Sequence, residues 1–169
     1  VMQSAVPDGA GSMAAILGLE DDLIIQECNK ASQKGVVEAV NFNSPGQVVI
    51  AGDKDAVAYA CELLKQAGAK RALVLPVSVP SHCSLMKEAA NEFKNSIENV
   101  EFKMNDVNVV HNVDADYSNS IEEIKSKLVE QLYRPVLWTS SVLRIQDSGV
   151  EKLIEAGPGK VLSGLTRRI

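Results

Sequence analysis

Apolar residues in the first half of the chain switch between two spacings. Residues 12–19 (Ser-Met-Ala-Ala-Ile-Leu-Gly-Leu) form a short apolar run of the kind a buried strand requires. Asp21 and Asp22 follow at a helix start, where carboxylates suit the positive end of the helix dipole. Leu23, Ile24, Glu27 and Ala31 carry that helix to a stop at Gly35. Residues 36–42 and 47–52 read as two strands, and the turn residues Asn43-Ser44-Pro45-Gly46 between them predict a β-hairpin. Asp53 is placed to cap a second helix, with Val57, Ala60, Leu64 and Ala67 as its inward stripe and Gly68 as its stop. Residues 71–77 close the series as a strand. The order strand, helix, strand, strand, helix, strand is the split βαβ, ferredoxin-like arrangement, over residues 12–77. Residues 1–11, interrupted by Pro7, Asp8, Gly9 and Gly11, read as an exposed connector.

Beyond His82 the pattern changes to helices and strands in alternation. Leu85, Ala89, Phe93 and Ile97 recur every four residues, one face of a helix over 85–97. Residues 106–113 read as a strand. Ile121, Ile124, Leu128 and Leu132 mark a helix begun by Ser120 with Glu123 three residues on, a capping box. Pro135 opens a further helix with Val136, Trp138, Val142 and Ile145 as buried positions. Residues 150–156 predict a last strand, and Gly157-Pro158-Gly159 turns the chain into a final helix from Lys160. Helix-separated strands predict a parallel α/β sheet over residues 78–169.

Composition narrows the functional classes. At 169 residues one or two domains are expected, and 46% apolar residues suffice for a core. A net charge of −5 argues against nucleic acid as a partner. Arg71, Lys160, Arg167 and Arg168 offer a local basic patch, or simply a solvated surface. No apolar run approaches membrane-spanning length and no signal-peptide pattern opens the chain. Three cysteines, Cys28, Cys61 and Cys83, show neither paired nor metal-like spacing, which points to a reducing cytoplasm.

Candidate chemistry centres on His82. It lies in a proline-broken loop between a predicted strand and a predicted helix, where catalytic side chains are often displayed; the bland alternative is a loop histidine that caps the next helix. The surrounding Val79-Pro80-Ser81-His82-Cys83-Ser84-Leu85-Met86 resembles the histidine motif of malonyl-CoA:acyl carrier protein transacylases. Residues 40–52 (Val-Asn-Phe-Asn-Ser-Pro-Gly-Gln-Val-Val-Ile-Ala-Gly), 131–136 (Gln-Leu-Tyr-Arg-Pro-Val) and 155–165 (Glu-Ala-Gly-Pro-Gly-Lys-Val-Leu-Ser-Gly-Leu) agree with that family in order and spacing. The resemblance covers essentially the whole chain. It is closer to the discrete bacterial enzyme of fatty acid synthesis than to polyketide synthase modules.

The resemblance implies an acyl transfer in two steps, malonyl passing from coenzyme A to a serine and from the serine to the phosphopantetheine thiol of acyl carrier protein. A serine hydroxyl attacks well only when a base within hydrogen-bond reach takes its proton, and the same group must reprotonate the leaving thiolate. Imidazole, with an ordinary pKa of ~6.5, can do both. By resemblance His82 is that general acid/base, and the main-chain carbonyl of Gln131 orients it in place of a triad carboxylate. Asn43 and Ser81 are implied at the substrate cleft; each also reads as a residue bonding its own turn or local backbone.

The family's serine elbow, G-x-S-x-G, occurs nowhere in the 169 residues. The resemblance places it, and a malonate-binding arginine, upstream of Val1, so this chain by itself is expected to be inactive. The implied fold is α/β: a connector over 1–11, a ferredoxin-like βαββαβ subdomain over 12–77, and over 78–169 the C-terminal part of the α/β-hydrolase-like parallel-sheet subdomain into which the smaller one is inserted. Malonyl-CoA and acyl carrier protein are the implied partners, with no nucleic acid, no membrane, no cofactor and no metal, and a monomer is expected at full length. Cys83 beside His82 lacks the electropositive partner of a reactive thiol. His111 reads as structural, and Gly157-Pro158-Gly159-Lys160 as a tight turn rather than an anion site. The competing class is a non-enzymatic ferredoxin-like ligand-binding or regulatory module, which residues 12–77 alone would satisfy.

Overall fold

The computed structural model describes residues 2, 6, 7, 9–77 and 79–169. The six elements of the first half are β1 (Gly11–Leu17), α1 (Asp21–Ala31), β2 (Val37–Ser44), β3 (Gln47–Asp53), α2 (Lys54–Gln66) and β4 (Arg71–Val74). They build one four-stranded sheet in the order β2-β3-β1-β4, antiparallel between all neighbours. Pro45 and Gly46 make the β2–β3 turn, where Gly46 takes φ 71, a conformation that strains any side chain with a Cβ.

Strand alternation gives the sheet two different faces. On one, Ala14, Ile16, Val48 and Ile50 meet Ile24, Cys28, Val57, Ala60 and Leu64 of α1 and α2. Burying each large aliphatic side chain there contributes about 1.5–3 kcal/mol. On the other, Met13, Val40, Val49 and Ala51 pack against Cys83, Leu75 and Leu85. The loop carrying His82 is therefore seated on the sheet by an apolar patch of its own.

The second half holds α3 (Lys87–Glu98), α4 (Ile121–Glu130), α5 (Trp138–Asp147) and α6 (Val161–Thr166), with a 3₁₀ turn at Ser84–Met86. Ser120 caps α4 by accepting from the Glu123 amide at 3.1 Å, while Glu123 Oε2 accepts from the Asn119 amide at 2.8 Å.

Several expectations need correction. No parallel sheet exists among the described residues, and neither 106–113 nor 150–156 is a strand. A strand exists only by pairing, and no described strand runs beside these segments. Much of their apolar surface stands in the open, Val107 at 69% and Ile154 at 78% exposure, although Val113 is buried. β4 stops at Val74: Leu75 still donates to Met13 O at 2.8 Å, but Pro76 has no N–H to continue the ladder. Helix α5 begins at Trp138, not Pro135, because the Val136 N–H and C=O are spent on β2. Asp53 does not cap α2. Its Oδ2 instead accepts from the Val36 amide at 2.7 Å, and Gly35 at φ 132 leaves room for that carboxylate. Within the expected connector, Gly11 belongs to β1, and Val1, Gln3, Ser4, Ala5 and Asp8 lie outside the described residues. So does Ser78, where the expected subdomain boundary falls.

A buried ion cluster pins the segment before α4. Lys127 is 7% exposed and meets Asp114 Oδ2 at 2.9 Å, Glu123 Oε1 at 3.1 Å and Tyr117 O at 2.6 Å. Burial alone would push this ammonium down; its hydrogen bonds to Asp114 and Glu123 outweigh that and hold it above the usual lysine value. His111 lies close by in a bridge to Asp116. Burial, then the Lys127 charge, holds His111 below the usual histidine value, against the opposing pull of Asp114 and Glu123.

Amide exchange should be slowest in the sheet and its two helices and fast over residues 99–110 and 149–160. Hydrogen–deuterium exchange read by mass spectrometry checks this, and equal protection along the chain would refute it. His111 adds a pH dependence. Held neutral when folded, it binds fewer protons than in the unfolded chain, so stability should fall as pH drops through about 6.5. Thermal melts across that window should show a shallower slope for His111→Gln than for the parent, and identical slopes would exclude the effect.

Candidate active site

Four hydrogen bonds fix the backbone around His82. Cys83 is fully buried and its Sγ donates to Pro80 O at 3.1 Å. Ser84 is held by Glu38 of β2, its amide donating to Oε2 at 3.1 Å and its hydroxyl to Oε1 at 2.5 Å. The His82 amide donates to Leu132 O at 3.0 Å. Between these ties His82 takes φ 67, the left-handed region, as only one other non-glycine residue (Ala115) does among the described residues. Such a conformation costs on the order of 1–3 kcal/mol and persists only where the surroundings impose it.

The ring is half-buried, and its Nδ1 lies 2.7 Å from the main-chain oxygen of Gln131. A carbonyl oxygen only accepts, so Nδ1 carries the proton in the neutral ring and Nε2 keeps its lone pair. Gln131 is the C-cap of α4. The last carbonyls of a helix have no partner within it. Here the Gln131 oxygen meets the His82 ring and the Leu132 oxygen the His82 amide. Such an arrangement can take a proton at Nε2 and stabilise the resulting charge from the carbonyl side.

Of the four residues singled out from sequence, the structure brings two together, His82 and Gln131. Asn43, half-buried on β2, and the Ser81 side chain make no hydrogen bond to His82 among the described residues; the Ser81 amide donates to Val79 O at 2.9 Å. Glu38 was missed. An acidic residue in a predicted strand gives no local sign that it will hold a loop 46 residues away. The thiols are unsuited to attack at neutral pH, since burial pushes Cys28 and Cys83 up to about 12 and raises Cys61. No group of three metal-ligating side chains occurs among the described residues.

A cavity of about 880 Å³ lies elsewhere, between α5, α6 and residues 149–156. Its walls combine Val142, Leu153, Ile154 and Leu162 with polar Gln146, Glu151, Thr166 and Arg167. Glu155 turns inward over α6, accepting from the Ser163 hydroxyl and from the amides of Ser163 and Leu162, and the Ser163 bonds hold its carboxyl below the usual range. Of the basic residues, Arg168 donates to Gln47 Oε1 at 2.7 Å, and Gln47 and Arg71 both pair with Leu17 in the sheet.

A histidine oriented by a main-chain carbonyl, on an α/β chain with this small antiparallel sheet, fits acyl transfer. The chain belongs to the acyl transferase domain family, whose model matches residues 1–167. Among curated relatives, the malonyl CoA-acyl carrier protein transacylase of Haemophilus influenzae is 54% identical over 169 residues, covering 100% of this chain and 54% of that protein. That of Escherichia coli is 55% identical over 168 residues, 99% of this chain and 54% of the other. The structure superposes on an acyl carrier protein S-malonyltransferase from Vibrio cholerae with TM-score 0.97 at 57% identity, over 99% of this chain and 55% of that one. It also matches a malonyl-transacylase solved in complex with its type II polyketide-synthase acyl carrier protein, with TM-score 0.97 and 53% identity, over 99% and 54%. The chain spans about half the length of the curated relatives it matches.

Replacing Glu38 by Ala should free the Ser84 amide and hydroxyl and cost about 1–3 kcal/mol of stability, as charge-assisted hydrogen bonds do. Urea denaturation checks the loss, and exchange at Ser84 should rise with it. Unchanged exchange at Ser84 would mean that Glu38 does not hold the loop.

Proposed function

We propose that a protein carrying this sequence at the relatives' full length moves malonyl from coenzyme A to the phosphopantetheine thiol of acyl carrier protein through a seryl ester. One observation carries the reading above all: a histidine in a strained backbone conformation, Nδ1 tied to a carbonyl and Nε2 left to act. In this reading His82 Nε2 takes the serine proton as the serine oxygen attacks the malonyl thioester carbonyl. The tetrahedral adduct then expels the coenzyme A thiolate, which takes the proton from the imidazolium. In the second half-reaction His82 takes the proton of the phosphopantetheine thiol, whose sulfur attacks the ester, and returns it to the serine oxygen. Gln131 O keeps the ring in the tautomer both steps need. The serine and the malonate-binding arginine are contributions from outside this sequence. Asn43 and Ser81 are assigned to the rim of the substrate cleft.

The same reading assigns residues 12–77 to a ferredoxin-like subdomain and 78–169 to part of a hydrolase-like acyltransferase subdomain, with 1–11 as the connector. Support comes from the sheet order β2-β3-β1-β4 and from the succession of helices α3 to α6. A cytoplasmic, monomeric enzyme is proposed. Three free cysteines fit a reducing compartment, and no helix among the described residues is long and apolar enough to cross a membrane. A ferredoxin-like regulatory module is the weaker reading, because it would have no use for a strained histidine oriented through Nδ1.

In a protein of full family length, His82→Ala should keep the fold and slow malonyl transfer by ~10²–10⁴-fold, the usual contribution of a positioned acid–base group. The 169-residue chain alone should transfer none. Both are read by following malonyl-CoA conversion to malonyl-carrier protein, with circular dichroism as the folding control. Near-normal turnover of a folded His82→Ala protein would remove His82 from the mechanism.

A further inference from the structure

The Gln131 carbonyl has no side-chain requirement of its own: any residue at a helix end offers a C=O. The Gln131 side chain, however, is itself engaged. Its Nε2 donates to Arg134 O at 3.1 Å and to Pro135 O at 3.2 Å. Two carbonyls can only accept, so the amide nitrogen must face them, and both of its N–H bonds are used. These two carbonyls belong to the stretch that leaves α4 and runs to β2. The stretch ends where Val136 N donates to Val40 O at 2.8 Å and Phe42 N donates to Val136 O at 2.9 Å.

We propose that Gln131 is a positioning residue through its side chain, an amide clamp that fixes the 131–135 turn and thereby aims its own carbonyl at His82 Nδ1. The hydrogen bonds close a circuit. Glu38 of β2 holds Ser84, next but one to His82; His82 meets Gln131 and Leu132; the Gln131 amide grips Arg134 and Pro135; Val136 returns to β2. Only one link in this circuit is a side chain spanning its own turn. The main chain holds the first part of this turn, Leu132 N donating to Val129 O at 3.2 Å and the Tyr133 and Arg134 amides to Glu130 O at 3.1 and 2.9 Å. Without the Gln131 side chain, the peptide planes that carry the Arg134 and Pro135 carbonyls can rotate ahead of Val136. Pro135, lacking an N–H, has no donor with which to resist that rotation. The far end of the turn would loosen, the Gln131 carbonyl would hold its direction less firmly against the ring, and the preference for one tautomer would weaken. The identity of residue 131 therefore matters beyond its main chain.

The clamp rests on the functional reading of His82, but its test does not use activity. Imidazole signals of ¹⁵N-labelled His82 are recorded in the full chain as wild type, as Gln131→Met (equal length, no donors) and as Gln131→Glu (a carboxylate facing two carbonyls). Wild type should show the Nδ1–H tautomer with a slowly exchanging Hδ1. In both variants Hδ1 exchange should accelerate roughly tenfold or more, the scale of one lost hydrogen bond, and Nε2–H tautomer should appear. His111, which shares no hydrogen bond with this turn among the described residues, should be unmoved. Unchanged His82 tautomer and Hδ1 exchange in a folded Gln131→Met chain would overturn the clamp, as would an Nε2–H tautomer in wild type. Should neither variant fold, exchange of the wild-type Gln131 side-chain amide decides: protection supports the clamp, and exchange at the free-solvent rate refutes it. Loss of activity in His82→Ala bears on the functional reading alone, so the two can fail separately.

Discussion

The outer edge of β2 is the constraint on which the rest of this chain depends. An edge strand presents unpaired N–H and C=O groups that must be satisfied or shielded. Here Val136 fills two of them, through Val40 O and the Phe42 amide, and Thr139 Oγ1 donates to Phe42 O at 3.2 Å. The register shift between Ala39 and Asn41 falls at the same point, beside the isolated parallel bridge from Asn41 to Val136. One strand thus belongs at once to the sheet's own ladder and to the polypeptide that leaves α4. From the same strand Glu38 reaches out to Ser84, so both segments that define the histidine's surroundings are fastened to one piece of backbone.

That arrangement explains how a loop residue can be held in an unfavourable conformation. Cys83 lies in the apolar patch under the sheet with Met13, Val40, Val49 and Ala51. Burial of this neighbour, together with the hydrogen bonds at Ser84 and at the His82 amide, opposes the cost of φ 67. The strain is therefore carried by the packed sheet. A loop with only its own turn to support it would relax the histidine to the ordinary β or helical region, and the Nδ1 contact would be lost.

Stability and chemistry are distributed unevenly along the chain. The face shared with α1 and α2 is densely apolar and contains the fully buried Ile16, Ile24, Ile50 and Leu64. The segments between α3 and α4 and between α5 and α6 contribute exposed valines, Met104, Leu153 and Ile154 instead. Lys127 and its two carboxylates tie residues 114–117 to α4, the helix whose C-terminal end faces His82.

How much of this was legible in the sequence depends on the range of the forces involved. Local chemistry was readable: the Ser120–Glu123 cap, the Pro45-Gly46 turn, the helix stripes of α1 and α2, and the apolar strand runs of β1 to β3 are set by residues within a few positions of each other. His82 and the Gln131 carbonyl entered through the motifs around them, since no periodicity links residues 49 positions apart. What the sequence could not decide was whether an apolar run becomes a strand. Residues 106–113 and 150–156 have strand composition, yet pairing requires a neighbour, and no described strand supplies one. It could not assign partners either: Asp53 has the position of a helix cap but bonds Val36, and Glu38 has the appearance of a strand carboxylate but holds the histidine loop. Tertiary structure decided these because a hydrogen-bonding side chain takes whichever partner the fold brings within about 3 Å, and that partner is unrelated to distance along the chain.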